Sequence, residues 1–463
     1  MEPRTVPSLT QEPALSHSSP ATPVDQRFEA ISLPTANRSW IASNLRHTSP
    51  IFGGNLFRVL GNGNLRQRLA GEFGEDFATL MREVDFLMGK RFPLGVALVV
   101  GEMKESVCRQ LKKNLLRQAD YISWFVAGPV LIAAFREGLF DELHQAWRLV
   151  TTDNANIATG VAFSRGLRGA NELLSAAHTA LHRALLQNKR LLVLDQAEAT
   201  AAVASQKIAT TMKQHLASGG GSFDAYFQPQ VEIGSGKPVG AEAMARWAPD
   251  DIAIPPAQFI PIAEEYGLIG EIGQLMFVRA AHTLRSLRDS GFEVPRMAIN
   301  VSAAQCREDG FLRTAIEILR DEDLSPADIE LEISESMVGA GSWEFLGSLA
   351  EIAAAGFHIA IDEFGTGSSS LARIREISAG KIKLDRAFVT RLPDDQTACT
   401  MCRMALDLVH GLGKTSLAYG IERPEQAIYL GALGCAYGQG YYWASPMSES
   451  DLIDWWGQGR TTH

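Results

Sequence analysis

Eight strand-like segments, set between helical stretches in the C-terminal half of the chain, limit its fold more than any other feature. They are DAYFQPQVEI, VGAEAMARWA, RMAINVS, IELEISES, HIAIDEFG, GKIKLD, TSLAYGIE and YGQGYYWA. Eight strands with interleaved helices point to a (β/α)8-type barrel. The first two segments are joined only by Gly234, Ser235, Gly236 and Lys237. Four residues close a hairpin and are too few for a parallel crossover. Strand one should therefore run antiparallel to strand two.

The barrel fills residues 223–457, and the chain of 463 residues has room for more than one domain. Residues 1–35 are rich in Pro, Ser and Thr and read as a disordered tail. Residues 36–91 carry helical patterning without a clear place in a fold. Residues 92–196 alternate short strands and helices and form a small α/β domain. In it LGVALVVG is a strand, ESVCRQLKKNLLRQ and FDELHQAWRLVT are helices, and YISWFVAGPVLIAAF splits at Gly128 and Pro129 into two strands. Residues 197–222 are a linking helix ending in SGGGS, a flexible joint.

Composition removes several classes. A net charge of −10 with no basic stretch disfavours long nucleic acid, though not a small nucleotide. No run approaches the ~18 apolar residues of a membrane span, and the N-terminus lacks a signal-peptide core. Five cysteines, an odd and sparse set, suit a reducing cytoplasm. Cys399 and Cys402 form a CxxC within a helical pattern and read as small core residues.

The strand ends carry the chemistry. Glu242, Asn300, Glu332 with Glu335, Asp362 with Glu363, Lys383 with Asp385, Glu422 and Gln439 fall at or near the ends of seven different segments. In a barrel these ends converge on one face. Any single acid there reads best as a rim residue. Acids on so many strands read as a site, since isolated carboxylates are costly unless paired or metal-bound. Carboxylates plus an asparagine amide suit Mg²⁺ or Mn²⁺ and lack the His and Cys ligands of zinc.

QP (Gln228, Pro229), EAMARW (Glu242 to Trp247), NVS (Asn300 to Ser302), ELEISES, IDEFGTGSSSL, KIKLDRAFV, AYGIE and QGYYWASP follow in order. This series resembles the EAL-domain phosphodiesterases, which open cyclic di-GMP to linear pGpG. The resemblance implies a barrel with an antiparallel first strand. It places Glu242, Asn300, Glu332 and Asp362 at the first metal ion, and Gln228, Arg246, Asn300 and Gln439 at the dinucleotide. Lys383, Glu363 and Glu335 fall at catalytic positions. Lys383 is where a lysine positions the attacking water. Glu335 and the Gly365-Thr366-Gly367 loop couple the site to a dimer interface. Cyclic di-GMP, a homodimer through the barrel and a regulatory protein are the implied partners.

Three residues depart from the family pattern. Met244 replaces a leucine, a mild change. Glu363 replaces an aspartate and adds a methylene. Tyr419 replaces a glutamate with a neutral phenol of reference pKa ~10. Two of three second-metal positions are thus altered, and the first-metal set is intact. The middle domain resembles a degenerate GGDEF (diguanylate cyclase) domain. Val126 to Val130 stand at its signature and Gly101 at its metal aspartate, so no catalytic acid remains. Arg117 and Asp120 keep the RxxD spacing of that family's inhibitory site and read as a structural remnant. The expected function is a cyclic di-GMP receptor with impaired hydrolysis. The alternatives are an active phosphodiesterase and a protein-interaction module that binds no nucleotide.

Overall fold

The computed structural model describes residues 80–101 except 83 and 92, strands at 121–127 and 130–136, residues 137 and 140, and residues 157–458 except 188, 341–342 and 368–370. The expected tail, nearly all of the helix expected at 140–151, the helix expected at 105–118 and the Arg117/Asp120 pair lie outside the described residues. The chain divides into two compact units, at Val203 and Ala204.

The smaller unit is a five-stranded sheet in the order β2-β3-β1-β4-β5. Its strands are β1 (Leu94–Gly101), β2 (Tyr121–Ala127), β3 (Val130–Arg136), β4 (Ile157–Phe163) and β5 (Leu191–Val193). The central strand β1 is antiparallel to both neighbours. Helix α1 (Ala170–Leu186) packs on the sheet through Leu173, Leu174, Ala177 and Leu181, all buried with Val96, Leu98 and Ala162. A Cβ at Gly160 of β4 would lie 2.0 Å from the Leu181 nitrogen, so only glycine permits this close crossing. Helix α2 (Gln196–Ala217) follows.

The larger unit is a closed eight-stranded barrel. Its strands are β6 (Phe223–Glu232), β7 (Pro238–Trp247), β8 (Met297–Asn300), β9 (Ile329–Ser334), β10 (His358–Phe364), β11 (Lys381–Leu384), β12 (Thr415–Tyr419) and β13 (Tyr437–Gln439). Strand β6 is antiparallel to both neighbours, β7 and β13, and every other pair around the barrel is parallel. The short hairpin therefore does what its length demands. Helices α3 (Pro256–Glu265), α4 (Ile269–Asp289), α5 (Ala303–Cys306), α6 (Phe311–Asp321), α7 (Glu335–Ala340), α8 (Trp343–Ala354), α9 (Leu371–Glu376), α10 (Gln396–Gly411), α11 (Pro424–Ala432) and α12 (Glu449–Gly457) fill the connections and the C-terminus. Gln439 is the last residue of β13.

Strand side chains alternate between lumen and helix layer. In β9, Ile329, Leu331 and Ile333 face the apolar core, and Glu330 and Glu332 alternate with them, yet all five are buried. The polar face of these strands is thus the barrel interior and not solvent. Cys399 and Cys402 lie buried on α10 as free thiols, and burial pushes Cys402 up to about 12. Among the described residues no helix is long and apolar enough to cross a membrane.

Candidate metal centre and ligand face

Three strands bring three carboxylates together. Glu242 (β7), Glu332 (β9) and Asp362 (β10) each offer an oxygen within 4.8 Å of the others. Asn300 ends β8 beside them, and its Nδ2 donates to Glu242 Oε1 at 2.7 Å. That leaves the Asn300 carbonyl oxygen free to serve as a fourth ligand. The donor set is all oxygen, with no histidine or cysteine in the group, and fits Mg²⁺ or Mn²⁺.

Lys383 on β11 reaches the same point from across the lumen. Its ammonium donates to Glu242 Oε2 at 2.9 Å, to Asp362 Oδ2 at 3.1 Å and to Glu332 Oε2. Its side chain is 1% exposed. It is the counter-charge of the acidic group. Burial works against the ammonium, but Asp362, Glu242 and Glu332 outweigh burial and hold its pKa well above the ordinary lysine range.

The two buried glutamates are not equivalent. Burial pushes Glu242 up, yet the Lys383 charge and hydrogen bonds from Gln439, Lys383 and Asn300 outweigh it and leave its pKa lowered. Among the described residues Glu332 accepts from Lys383 and, at 3.3 Å, from Gln230 Nε2. Burial and the neighbouring Glu242 charge therefore raise its pKa well above the ordinary value. The charges of Asp362 and Glu330 add to that rise, and the Lys383 ammonium opposes it.

Gln228 and Gln439 form a relay with fixed polarity. Gln228 Nε2 donates to the Ala444 carbonyl at 2.9 Å, so its Oε1 faces Gln439 and accepts from Nε2 at 3.0 Å. The same Gln439 nitrogen donates to Glu242 Oε2 at 2.8 Å. Gln439 Oε1 is left buried without a partner, an acceptor awaiting a donor. Arg246 lies higher on β7. Its guanidinium stacks on Tyr226 at 5.2 Å from the ring centroid, and none of the ion pairs among the described residues includes it. The salt bridge that would be its ordinary surface role is absent from that set.

Glu335 starts α7 and stands apart from the acidic group. Its Oε2 accepts from the Gly365 N–H at 2.6 Å and the Gly367 N–H at 3.3 Å. It therefore anchors the loop after β10. Gly365 has φ +95°, and a Cβ there would meet Phe388 at 2.1 Å. Glu363, two residues earlier, has φ +55°, an uncommon backbone for glutamate. Its N–H donates to Asp362 Oδ1 at 2.7 Å, and its carbonyl accepts from the Thr366 hydroxyl at 2.8 Å. Burial, then Asp362 and Asp385, raise its pKa. Tyr419 on β12 presents its ring to Lys383, with Nζ 6.0 Å from the centroid. Burial, then Glu242, raise the phenol pKa, so it stays neutral and supplies no carboxylate.

A second polar layer, missed in the sequence, lies deeper in the lumen. Lys381 Nζ donates to Glu330 Oε1 at 2.6 Å and to Gln230 Oε1 at 3.2 Å, and packs over Tyr437. Each member sits two residues from a residue already singled out: Gln230 from Gln228, Glu330 from Glu332, Lys381 from Lys383. The strand period was the available signal.

Residues 211–446 match the EAL domain family. The chain is 32% identical over 236 residues to the cyclic di-GMP phosphodiesterase RocR of Pseudomonas aeruginosa, covering 51% of this chain and 60% of that protein. It is 33% identical over 229 residues to the bifunctional diguanylate cyclase/cyclic di-GMP phosphodiesterase MucR of the same organism, covering 49% of this chain and 33% of that one. The match thus spans less than two thirds of either relative. Among solved structures, the PaMucR phosphodiesterase in its c-di-GMP complex is 31% identical with a TM-score of 0.50, covering 53% of this chain and 99% of that one.

Proposed function

The chain belongs to the EAL domain family, and from that premise we propose that its barrel binds cyclic di-GMP at the C-terminal face and hydrolyses it slowly or not at all, acting as a receptor. One observation carries this reading. The Glu242, Asn300, Glu332 and Asp362 set is assembled around a buried cation, while Tyr419 faces Lys383 where the family pattern has a glutamate.

Each surviving group has a task in binding. Glu242, Asn300, Glu332 and Asp362 would hold one divalent ion. When bound, such an ion polarises a phosphate oxygen and acidifies a coordinated water. Arg246, free of a carboxylate partner among the described residues and placed over the Tyr226 ring, suits a phosphate. Gln439 Oε1 is an unmet acceptor in the lumen for a donor of the ligand or a water. Lys383 lies against the carboxylates and can donate toward the reacting phosphate. Turnover also needs a second set of carboxylates. There Tyr419 is a neutral phenol, and Glu363 is aimed by a left-handed backbone.

The test separates affinity from turnover. Calorimetric titration with cyclic di-GMP in Ca²⁺ buffer should show binding that Arg246→Ala weakens. Chromatography for pGpG after adding Mn²⁺ should show little product. Tyr419→Glu with Glu363→Asp should raise hydrolysis at least tenfold, a gain of ~1.4 kcal/mol in transition-state stabilisation, without changing affinity. An unmodified protein that already turns over at an ordinary enzymatic rate, unaffected by the double change, would sink the receptor reading in favour of an active phosphodiesterase.

For the smaller unit we propose a scaffold without cyclase activity, with the domain boundary inside residues 197–222. Gly101 ends β1, and the sequence from Val126 to Val130, of which Gly128 and Pro129 lie outside the described residues, contains no acid. Formation of cyclic di-GMP from GTP by the purified protein would contradict it.

A further inference from the structure

The deeper polar layer takes no part in the reading above, yet it ends on one of the four residues assigned to the ion. Strand β6 runs opposite to its neighbours, so moving along it descends the lumen. Gln228 pairs with Glu242 at the level of the acidic centre, and Gln230 pairs with Gly240 one level below. Gly240 brings no side chain to that level. Gln230 lies between Lys381 and Glu332, 3% exposed, in a lumen where Glu332 is 1% and Lys381 7% exposed.

We propose that Gln230 is a positioning residue for Glu332, and that Lys381 sets the direction in which the Gln230 amide points. An ammonium only donates hydrogen bonds. Lys381 Nζ lies 3.2 Å from one end of the Gln230 amide, so that end must be the carbonyl. The NH2 end then faces Glu332 Oε1 at 3.3 Å. A reversed amide would set NH2 against an ammonium and C=O against a carboxylate, two repulsive contacts in a dry lumen. Lys381 is itself held by Glu330 Oε1 at 2.6 Å and by the Tyr437 ring, with its Nζ 5.4 Å from the centroid. The chain of orientation runs from Glu330 to Lys381 to Gln230 to Glu332.

The consequence falls on the upper layer. With Oε1 tied to Gln230, Oε2 is the oxygen of Glu332 turned to the acidic centre, where Lys383 meets it. Glu242 has three donors and survives the loss of one. Among the described residues Glu332 has two donors. Losing Gln230 leaves Lys383 alone, and Lys383 does not select between the two oxygens. Hydrogen-bond partners behind a metal ligand commonly change metal affinity by ~10–100-fold.

This inference rests on the metal reading of the site, and the experiment separates the two. Mn²⁺ is titrated into the whole 463-residue chain, free ion is followed by electron paramagnetic resonance, and the unfolding midpoint is measured without metal. The unmodified protein should bind one Mn²⁺. Gln230→Leu should weaken Mn²⁺ binding by ~10–100-fold. Lys381→Met should weaken it too, since the amide is then free to reverse. Lys381→Arg keeps a cation that only donates and should bind within about threefold of the unmodified protein. A purely structural role would shift the midpoints and leave Mn²⁺ affinity untouched. Should Gln230→Leu fail to fold, the Lys381 pair decides: unchanged affinity in Lys381→Met overturns the inference. Gln230→Leu that folds and binds Mn²⁺ normally overturns it as well. No Mn²⁺ binding by the unmodified protein at millimolar ion would overturn the metal reading and this inference with it.

Discussion

Replacing Lys383 with methionine isolates the electrostatic term that holds the barrel lumen together. Methionine matches lysine closely in length, so no large cavity opens and the change is one of charge. The ammonium touches Glu242, Glu332 and Asp362, whose side chains are 5%, 0% and 21% exposed. Its removal leaves three carboxylates facing no cation at that level, because Lys381 is engaged by Glu330 and Gln230 below. Removing one partner of a buried ion pair costs ~3–5 kcal/mol. For a unit of this size ~2–4 °C per kcal/mol applies, which gives a fall of roughly 6–20 °C in the metal-free unfolding midpoint.

The deficit should depend on pH in a defined sense. Glu332 has a folded-state pKa raised by burial and by Glu242, above an ordinary value of 4.5. Such a group contributes stability that is present below 4.5 and is lost as pH rises through its folded pKa. In the variant, proton uptake by Glu332 relieves the uncompensated charge, so the deficit is small near pH 5 and large at pH 8. A divalent ion should do what the proton does. At a thousand times its Kd it returns ~4.1 kcal/mol, and the gain should exceed that in the unmodified protein. The assay is thermal unfolding in EDTA at pH 5 and pH 8, repeated with Mn²⁺ at pH 8. Equal EDTA midpoints for variant and unmodified protein at pH 8 would refute the reasoning, since the ammonium would then not be the counter-charge.

Three further outcomes follow from the same geometry. Gly365→Ala should cost about 2–5 kcal/mol in urea unfolding, because it combines φ +95° with a Cβ 2.1 Å from Phe388; a loss below ~1 kcal/mol would mean that the loop is not held as described. His178 is buried on α1, and burial, then the His182 charge, lower its pKa to about 3. A depressed folded pKa stabilises above the unfolded value of 6.5 and is lost as pH falls toward 3. His178 should therefore account for roughly 4–5 kcal/mol of acid sensitivity in the smaller unit, and His178→Leu, followed by hydrogen exchange between pH 7 and 4, should blunt it. Mn²⁺ affinity should rise with pH above 4.5, because Glu332 must give up its proton to ligate; a flat calorimetric profile would place the proton elsewhere.

Much of this was legible before any coordinate, and the residues show why. IELEIS alternates apolar and acidic, a pattern that ordinarily marks a strand with one wet face. Here the glutamates are as buried as the isoleucines, because the polar face closes on itself as a lumen. Alternation reports the period and not which side holds water. The hairpin of Gly234 to Lys237 fixed the direction of β6 by length alone. Other features were out of reach for the same kind of reason. The left-handed backbone of Glu363 comes from the turn through Thr366, and no property of glutamate announces it.

Gln230, Glu330 and Lys381 sit one period below Gln228, Glu332 and Lys383, away from the strand ends that mark a barrel's functional face. Placing them at one height requires the barrel's stagger. Lys381 pairs with Ala360 and Thr415, whereas Ala360 pairs with Glu332, so a level of the lumen is not a row of paired residues. The antiparallel strand adds a reversal. On β6 the deeper glutamine comes later in the chain, whereas on β9 and β11 the deeper charged residue comes earlier. The same reversal lets one strand supply an amide at each level. Gln228 reaches Glu242 through Gln439, and Gln230 reaches Glu332 directly. Each buried glutamate of the centre is thus oriented by an amide that a fixed donor or acceptor has already pointed: the Ala444 carbonyl for one, the Lys381 ammonium for the other.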